Sequence, residues 1–234
     1  MRLLKENLEE LSDEQADGII ALGKFDAQQV KSLQKMNEPL LLVDFDGMPY
    51  GQDSLVVDFR QAVDLVLDHF VKTGHEKIGL LSGIEVTKGN RNQIEDPRKA
   101  FFQQRLQQLR LFDPRLMVAG AFTVNGGYQA MKTFLAEAEE LPTALFASSD
   151  ALGVGALRAI QEAGLRVPED ISVIGFNDVS VAKYVSPPLA TVHVPTEWMG
   201  ELALATMADI AREKAPVPRR VTIGTQLSLR ASTR

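Results

Sequence analysis

Two short runs, Leu40-Leu41-Leu42-Val43 and Ile78-Gly79-Leu80-Leu81, are apolar at consecutive rather than alternate positions. A strand of that kind needs cover on both faces, which is the situation of a parallel strand between two layers of helices. Strands are expected at Gly18–Leu22, Leu40–Asp44, Leu55–Asp58, Lys77–Ser82, Leu116–Gly120, Ala144–Ser148, Ser172–Phe176 and Ala190–Val194. Helical spacing fills the gaps. Phe59, Ala62, Val63, Val66, Leu67, Phe70 and Val71 lie on one stripe, with Gly74 placed to cap it. Arg98–Leu109, a helix capped by Asn125, Asp150–Glu162 and Trp198–Ala211 follow, and Arg220–Leu229 is a final extended run. This alternation predicts an α/β chain with a largely parallel sheet. Its 234 residues suffice for one large or two small domains.

Composition removes several function classes. The chain has no cysteine, so disulfides and thiolate metal sites are excluded, and a reducing cytoplasm fits. No apolar run reaches membrane-spanning length. Met1–Asn7 carries charges at once, unlike a secretory signal. A net charge of −6 does not attract a phosphate backbone, so a nucleic-acid role would need another segment. His69, His75 and His193 lack metal-ligand spacing, and His75 reads as a turn residue. Gly153-Val154-Gly155 lies within a helix and is no dinucleotide fingerprint, and no Gly-Lys-Ser/Thr follows Gly126-Gly127. Ser180-Val181-Ala182-Lys183 matches the start of a penicillin-hydrolase signature whose remainder is missing. No nucleophile–base pairing and no cofactor motif emerges. An α/β enzyme stays open only because fold does not fix function.

The polar residues that matter stand at strand ends. Ser148-Ser149-Asp150 closes one strand and opens a helix; Ser149 or Asp150 either caps that helix or meets a ligand there. Asn177-Asp178 follows Ser172–Phe176, as a turn or as a ligand contact. Ser186-Pro187-Pro188 sets the entry to the next strand.

In order, these segments resemble the LacI/GalR family of transcriptional repressors. The pattern runs from Pro142-Thr143-Ala144-Leu145-Phe146 through the polar-Asp pair, GALRAIQEAGLRVPEDISVIGF, Asn177-Asp178 and Pro187-Pro188-Leu189 to Thr191-Val192. Leu229-Arg230-Ala231-Ser232-Thr233-Arg234 matches the family's closing pattern. Upstream, Asp17-Gly18-Ile19-Ile20, the Gly74-His75 turn and the Arg98-Lys99-Ala100-Phe101 helix start match as well. The resemblance covers essentially the whole chain.

It implies a periplasmic-binding-protein type I fold, with two doubly wound parallel-sheet subdomains, one of residues 1–57 and 195–216 and the other of 58–194 and 217–234. It implies a homodimer in the cytoplasm with a sugar or similar small effector in the cleft between subdomains, and the Asn in Gly175-Phe176-Asn177-Asp178 is similar to the galactose-responsive branch, favouring a galactoside. The family's helix-turn-helix head, first strand, following helix and second strand have no counterpart, so the front of the first subdomain is expected to be missing and operator DNA to be bound only through a separate N-terminal module. A transport-type sugar-binding protein of the same bilobal fold is the alternative.

The resemblance also nominates effector contacts. Asp44 would accept hydrogen bonds from effector hydroxyls, or else turn the chain with Asp46 and Gly47. Arg98 would offer its guanidinium fork, or else sit on the surface near a helix start. Phe122 would stack on a sugar face, or else fill the core. Ser149 stands where the family often has Asn, and Asn177 where it often has Asp.

Overall fold

The computed structural model describes residues 17–86, 93–94, 96–212 and 216–234. The helix tail expected at Leu3–Glu10 lies outside them. The chain forms two compact units: the described parts of Met1–Asp58, Val86–Ile94 and Pro195–Ile223, and of Phe59–Glu85, Glu95–Val194 and Gly224–Arg234.

The first unit holds a parallel sheet in the order β1 (Ile19–Leu22), β2 (Leu40–Val43), β3 (Asp53–Val57) and β11 (Arg220–Ile223). All four residues of β2 are buried, as its unbroken apolar run requires. On one face α1 (Ala27–Gln34) lays Val30 and Leu33 against Ile19, Ala21, Leu40 and Leu42. Helix α6 (Thr196–Ala211) also packs against β2 and β1. Helix α1 starts at a capping box: the Asp26 side chain accepts from Gln29 N–H at 2.8 Å, and Gln29 Oε1 accepts from Asp26 N–H at 3.0 Å. The sequence reading passed over this helix although Asp-x-x-Gln is its written signal. Arg220–Leu229 is not one run. Its first part pairs with β3 in the first sheet, whereas the boundary at residue 217 had placed it in the second unit.

The second unit is built on a sheet in the order β12 (Gln226–Ser228), β10 (Ala190–His193), β9 (Ser172–Asn177), β8 (Ala144–Ala147), β4 (Ile78–Gly83) and β7 (Met117–Gly120). Only β12 runs antiparallel. A short separate ribbon pairs β5 (Glu85–Val86) with β6 (Gln93–Ile94), and of it only Glu85 belongs to this unit. Leu81, Leu145, Ala147 and Val173 pack into one cluster with Met131 of α4 (Val124–Glu137) and Leu152, Ala156 and Ile160 of α5 (Asp150–Glu162). On the other face, Phe102 of α3 (Pro97–Leu109) stacks on Phe146 with ring centres 6.2 Å apart, and α2 (Phe59–Lys72) buries Ala62, Val63, Val66, Leu67 and Phe70. Each of the larger side chains, from valine to phenylalanine, contributes about 1.5–3 kcal/mol on leaving water.

Two features depart from the sequence reading. Thr123, not Asn125, caps α4, its hydroxyl accepting from Gly126 N–H at 2.9 Å. His75 does more than turn the chain: it is 2% exposed, with Nδ1 3.0 Å from Thr143 Oγ1 and its ring edge-on to Phe70. The glycines dismissed as phosphate or dinucleotide motifs let α4 and α5 touch. A Cβ on Gly155 would stand 2.2 Å from Val124 O and 2.5 Å from Tyr128 N, and one on Gly127 would stand 2.5 Å from Leu152 O. These neighbours are backbone atoms and cannot swing aside. Gly155→Ala is therefore expected to cost about 2–4 kcal/mol, read as a lower urea midpoint with an unchanged m-value.

Candidate functional site

Because β4, β8, β9 and β10 are parallel, their carboxyl ends fall along one edge of the second sheet, where ligands of open α/β sheets bind. Arg98 comes to this edge from the first turn of α3. Asp96, the N-cap residue, accepts from Arg98 N–H at 3.0 Å and from Nε at 2.8 Å through the same oxygen. Arg98 Nη1 donates to Ser148 O at 2.7 Å, and Ser148 Oγ accepts from Gly83 N–H at 3.1 Å. The guanidinium carbon lies 4.9 Å from the ring centre of Phe176, 5.0 Å from Phe59 and 5.6 Å from Phe122. Desolvated contacts of this type are worth about 2 kcal/mol. Arg98 is 6% exposed, so it is not the surface residue that its place in the sequence also allowed.

Phe122, half-buried, lies over the backbone of Gly83, where a Cβ would meet the ring at 2.1 Å. The structure thus brings Arg98 and Phe122 together. Ser149 follows Ser148, whose carbonyl accepts from Arg98, but its own side chain accepts from Leu152 N–H at 3.2 Å as the cap of α5. Asn177 ends β9, exposed, with φ of 108°. Asp44 belongs to the first unit. It has φ of 60°, and its carboxylate lies 2.9 Å from Lys24 Nζ, which also donates to its carbonyl at 2.5 Å.

Sequence reasoning missed Asp96, although Asp-Pro before a helix is a written cap signal. It also missed Lys24, Phe59 and Phe176, which only folding places. Asp150, at 0% exposure, accepts from Thr191 Oγ1 at 2.5 Å and from Val179 N–H at 2.7 Å. Burial pushes its carboxyl up to about 6, helped by the charge of Asp178, while the two hydrogen bonds pull the other way. Burial also opposes ionisation of Asp178, but Arg230, Ser228 and His193 outweigh it and hold that carboxyl below the usual range. The closing motif is a clamp: Ser232 Oγ donates to Val173 O at 2.6 Å and accepts from Ala190 N–H at 2.7 Å, tying the chain's end to β9 and β10. Among the described residues no group of three metal-ligating side chains occurs, and no helix is long and apolar enough to cross a membrane.

A periplasmic binding protein-like domain matches residues 67–233. The transcriptional regulator GalR of Lacticaseibacillus casei is 36% identical over 231 residues, covering 97% of this chain and 70% of that protein. The chain belongs to the LacI/GalR family. Among solved structures, the complex of the transcriptional regulator CelR with cellobiose superposes with a TM-score of 0.85 at 27% identity, covering 98% of this chain and 69% of that one. The lac repressor dimer bound to operator and an anti-inducer superposes at 0.86 with 25% identity, covering 98% and 78%. The chain corresponds to the effector-binding core of these LacI/GalR regulators, and its relatives are regulators rather than enzymes.

The buried groups carry two expectations. Arg98→Ala would leave Asp96 charged and unpaired in the interior, costing about 3–5 kcal/mol of stability, so an effector-binding assay on it needs a melting curve beside it. Asp150 binds a proton more readily folded than unfolded. It therefore adds stability as pH falls through about 6 toward 3.8, and that gain is absent above 6. Asp150→Asn should remove this dependence, with the difference between variant and parent in urea unfolding changing by about 2–3 kcal/mol across that window.

Proposed function

We propose that this chain senses a small neutral sugar, galactose or a galactoside, and controls a repressor's grip on operator DNA. The carrying observation is the Arg98 guanidinium set among Phe59, Phe122 and Phe176 at the carboxyl edge of the second sheet. Aromatic faces suit the C–H face of a sugar, and a fixed guanidinium suits its hydroxyls. Asn177 adds a donor and an acceptor at the end of β9. In this reading the effector contacts are Arg98, Phe122, Ser149, Asn177 and Asp44. The galactose assignment draws on the similarity to GalR, and a sugar is what the CelR structure holds.

In this reading the protein acts in the cytoplasm as a homodimer and reaches operator DNA through an N-terminal module. The effector works by binding one conformation better than the other, since equal affinity for both shifts nothing. No cofactor takes part.

A thermal-shift screen with galactose, methyl galactosides, glucose, ribose, sugar phosphates and purines tests this. A melting temperature that rises with galactose or galactoside concentration is expected, and a shift only with purines or phosphates would overturn the sugar assignment. Asp44→Ala and Asn177→Ala should weaken that shift at least about tenfold in concentration while leaving the ligand-free melt within a few degrees.

A further inference from the structure

The strand β9 ends in two consecutive residues with positive φ, Asn177 at 108° and Asp178 at 61°. Neither is glycine, and such a backbone persists only where its surroundings over-determine it. Among the described residues the Asn177 side chain makes no hydrogen bond. The anchors converge instead on its neighbour. Asp178 Oδ1 accepts from Arg230 Nη2 at 2.5 Å; Oδ2 accepts from Ser228 Oγ at 3.1 Å and lies 3.2 Å from His193 Nδ1. Asp178 N–H donates to Thr191 Oγ1 at 3.3 Å, and Arg230 Nη1 donates to Leu189 O at 2.7 Å.

These partners come from three segments: β10 with the turn before it, β12 and the chain's closing residues. One carboxylate therefore fixes the end of β9 against all three. We propose that Asp178, held by Arg230, Ser228 and His193, is the positioning residue that keeps Asn177 in its left-handed backbone conformation and so presents the Asn177 amide to the effector. The inference rests on the reading that Asn177 contacts the effector. It adds a path outward. His193 stands two residues before the chain passes into the first unit at Pro195, and Ser228 four residues after it returns at Gly224. The group that sets Asn177 thus also grips the strands at both passages.

Two measurements decide this. The first is a ligand-free crystal structure of Asp178→Asn, with Ser228→Ala and Arg230→Gln as milder variants should it not fold. Asn177 is expected to leave the positive-φ region, and a φ still near 108° in these variants would overturn the proposal. The second is a double-mutant cycle read by calorimetric titration with D-galactose. Asp178→Asn should weaken binding about tenfold in the parent and less than about twofold in Asn177→Ala, because its effect passes through Asn177. Equal losses in both backgrounds would mark a merely structural role and overturn the proposal. Normal binding by Asn177→Ala alone would instead refute the contact reading, while the ligand-free structure still decides whether Asp178 sets the backbone.

Discussion

A guanidinium withdrawn from water has to be repaid in full, and Arg98 is repaid three ways. Asp96 supplies the opposite charge, the Ser148 carbonyl takes a second donor, and three phenylalanine rings turn their faces to the plane. Asp96 caps the same helix, while the Ser148 carbonyl and the rings come from other elements, so Arg98 ties the start of α3 to the ends of β8 and β9 and the start of α2. Removing either Asp96 or Arg98 leaves the other's charge stranded at low dielectric. The edge of the second sheet is rigid because this arrangement has little freedom to relax.

Rigidity of that kind suits a sensor. A regulator's effector gains leverage only from contacts that differ between conformations, so the contacts themselves must be well placed. The second unit holds two kinds of restraint along this edge. Around Arg98 it is charge compensation in a dry setting. Around Asn177 it is a network of exchangeable hydrogen bonds to Asp178, closer to solvent, where His193 is half-exposed and Arg230 nearly buried. The buried Asp150 shares Thr191 with that network.

Much of this was legible in the chain. Consecutive apolar residues at Leu40–Val43 and Ile78–Leu81 marked strands covered on both faces, and all eight expected strands formed within a residue or two of their limits. Ser149-Asp150 and Asn177-Asp178 stood out as polar pairs at strand ends, where a cap or turn and a ligand contact read alike, and Ser149 is indeed the cap of α5. Other features were written but overlooked, such as the Asp26–Gln29 capping box and the Asp96 cap. The close approach that the glycines of α4 and α5 permit was not legible, because spacing does not say which backbone a residue without a Cβ will meet.

The sequence by itself determined the order of strands and helices, the two-faced burial of the sheets and the edge along which polar residues collect, because these follow from local periodicity and capping. It also carried the motifs by which the chain resembles the LacI/GalR family. Only the tertiary structure decided that Arg98 is buried rather than exposed, that Phe59 and Phe176 join Phe122 around it, that β11 pairs in the first sheet, and that Asp178 meets Arg230 fifty-two positions away. Those are contacts between segments distant in the chain, and no periodicity records which partner a side chain will find once the helices have packed.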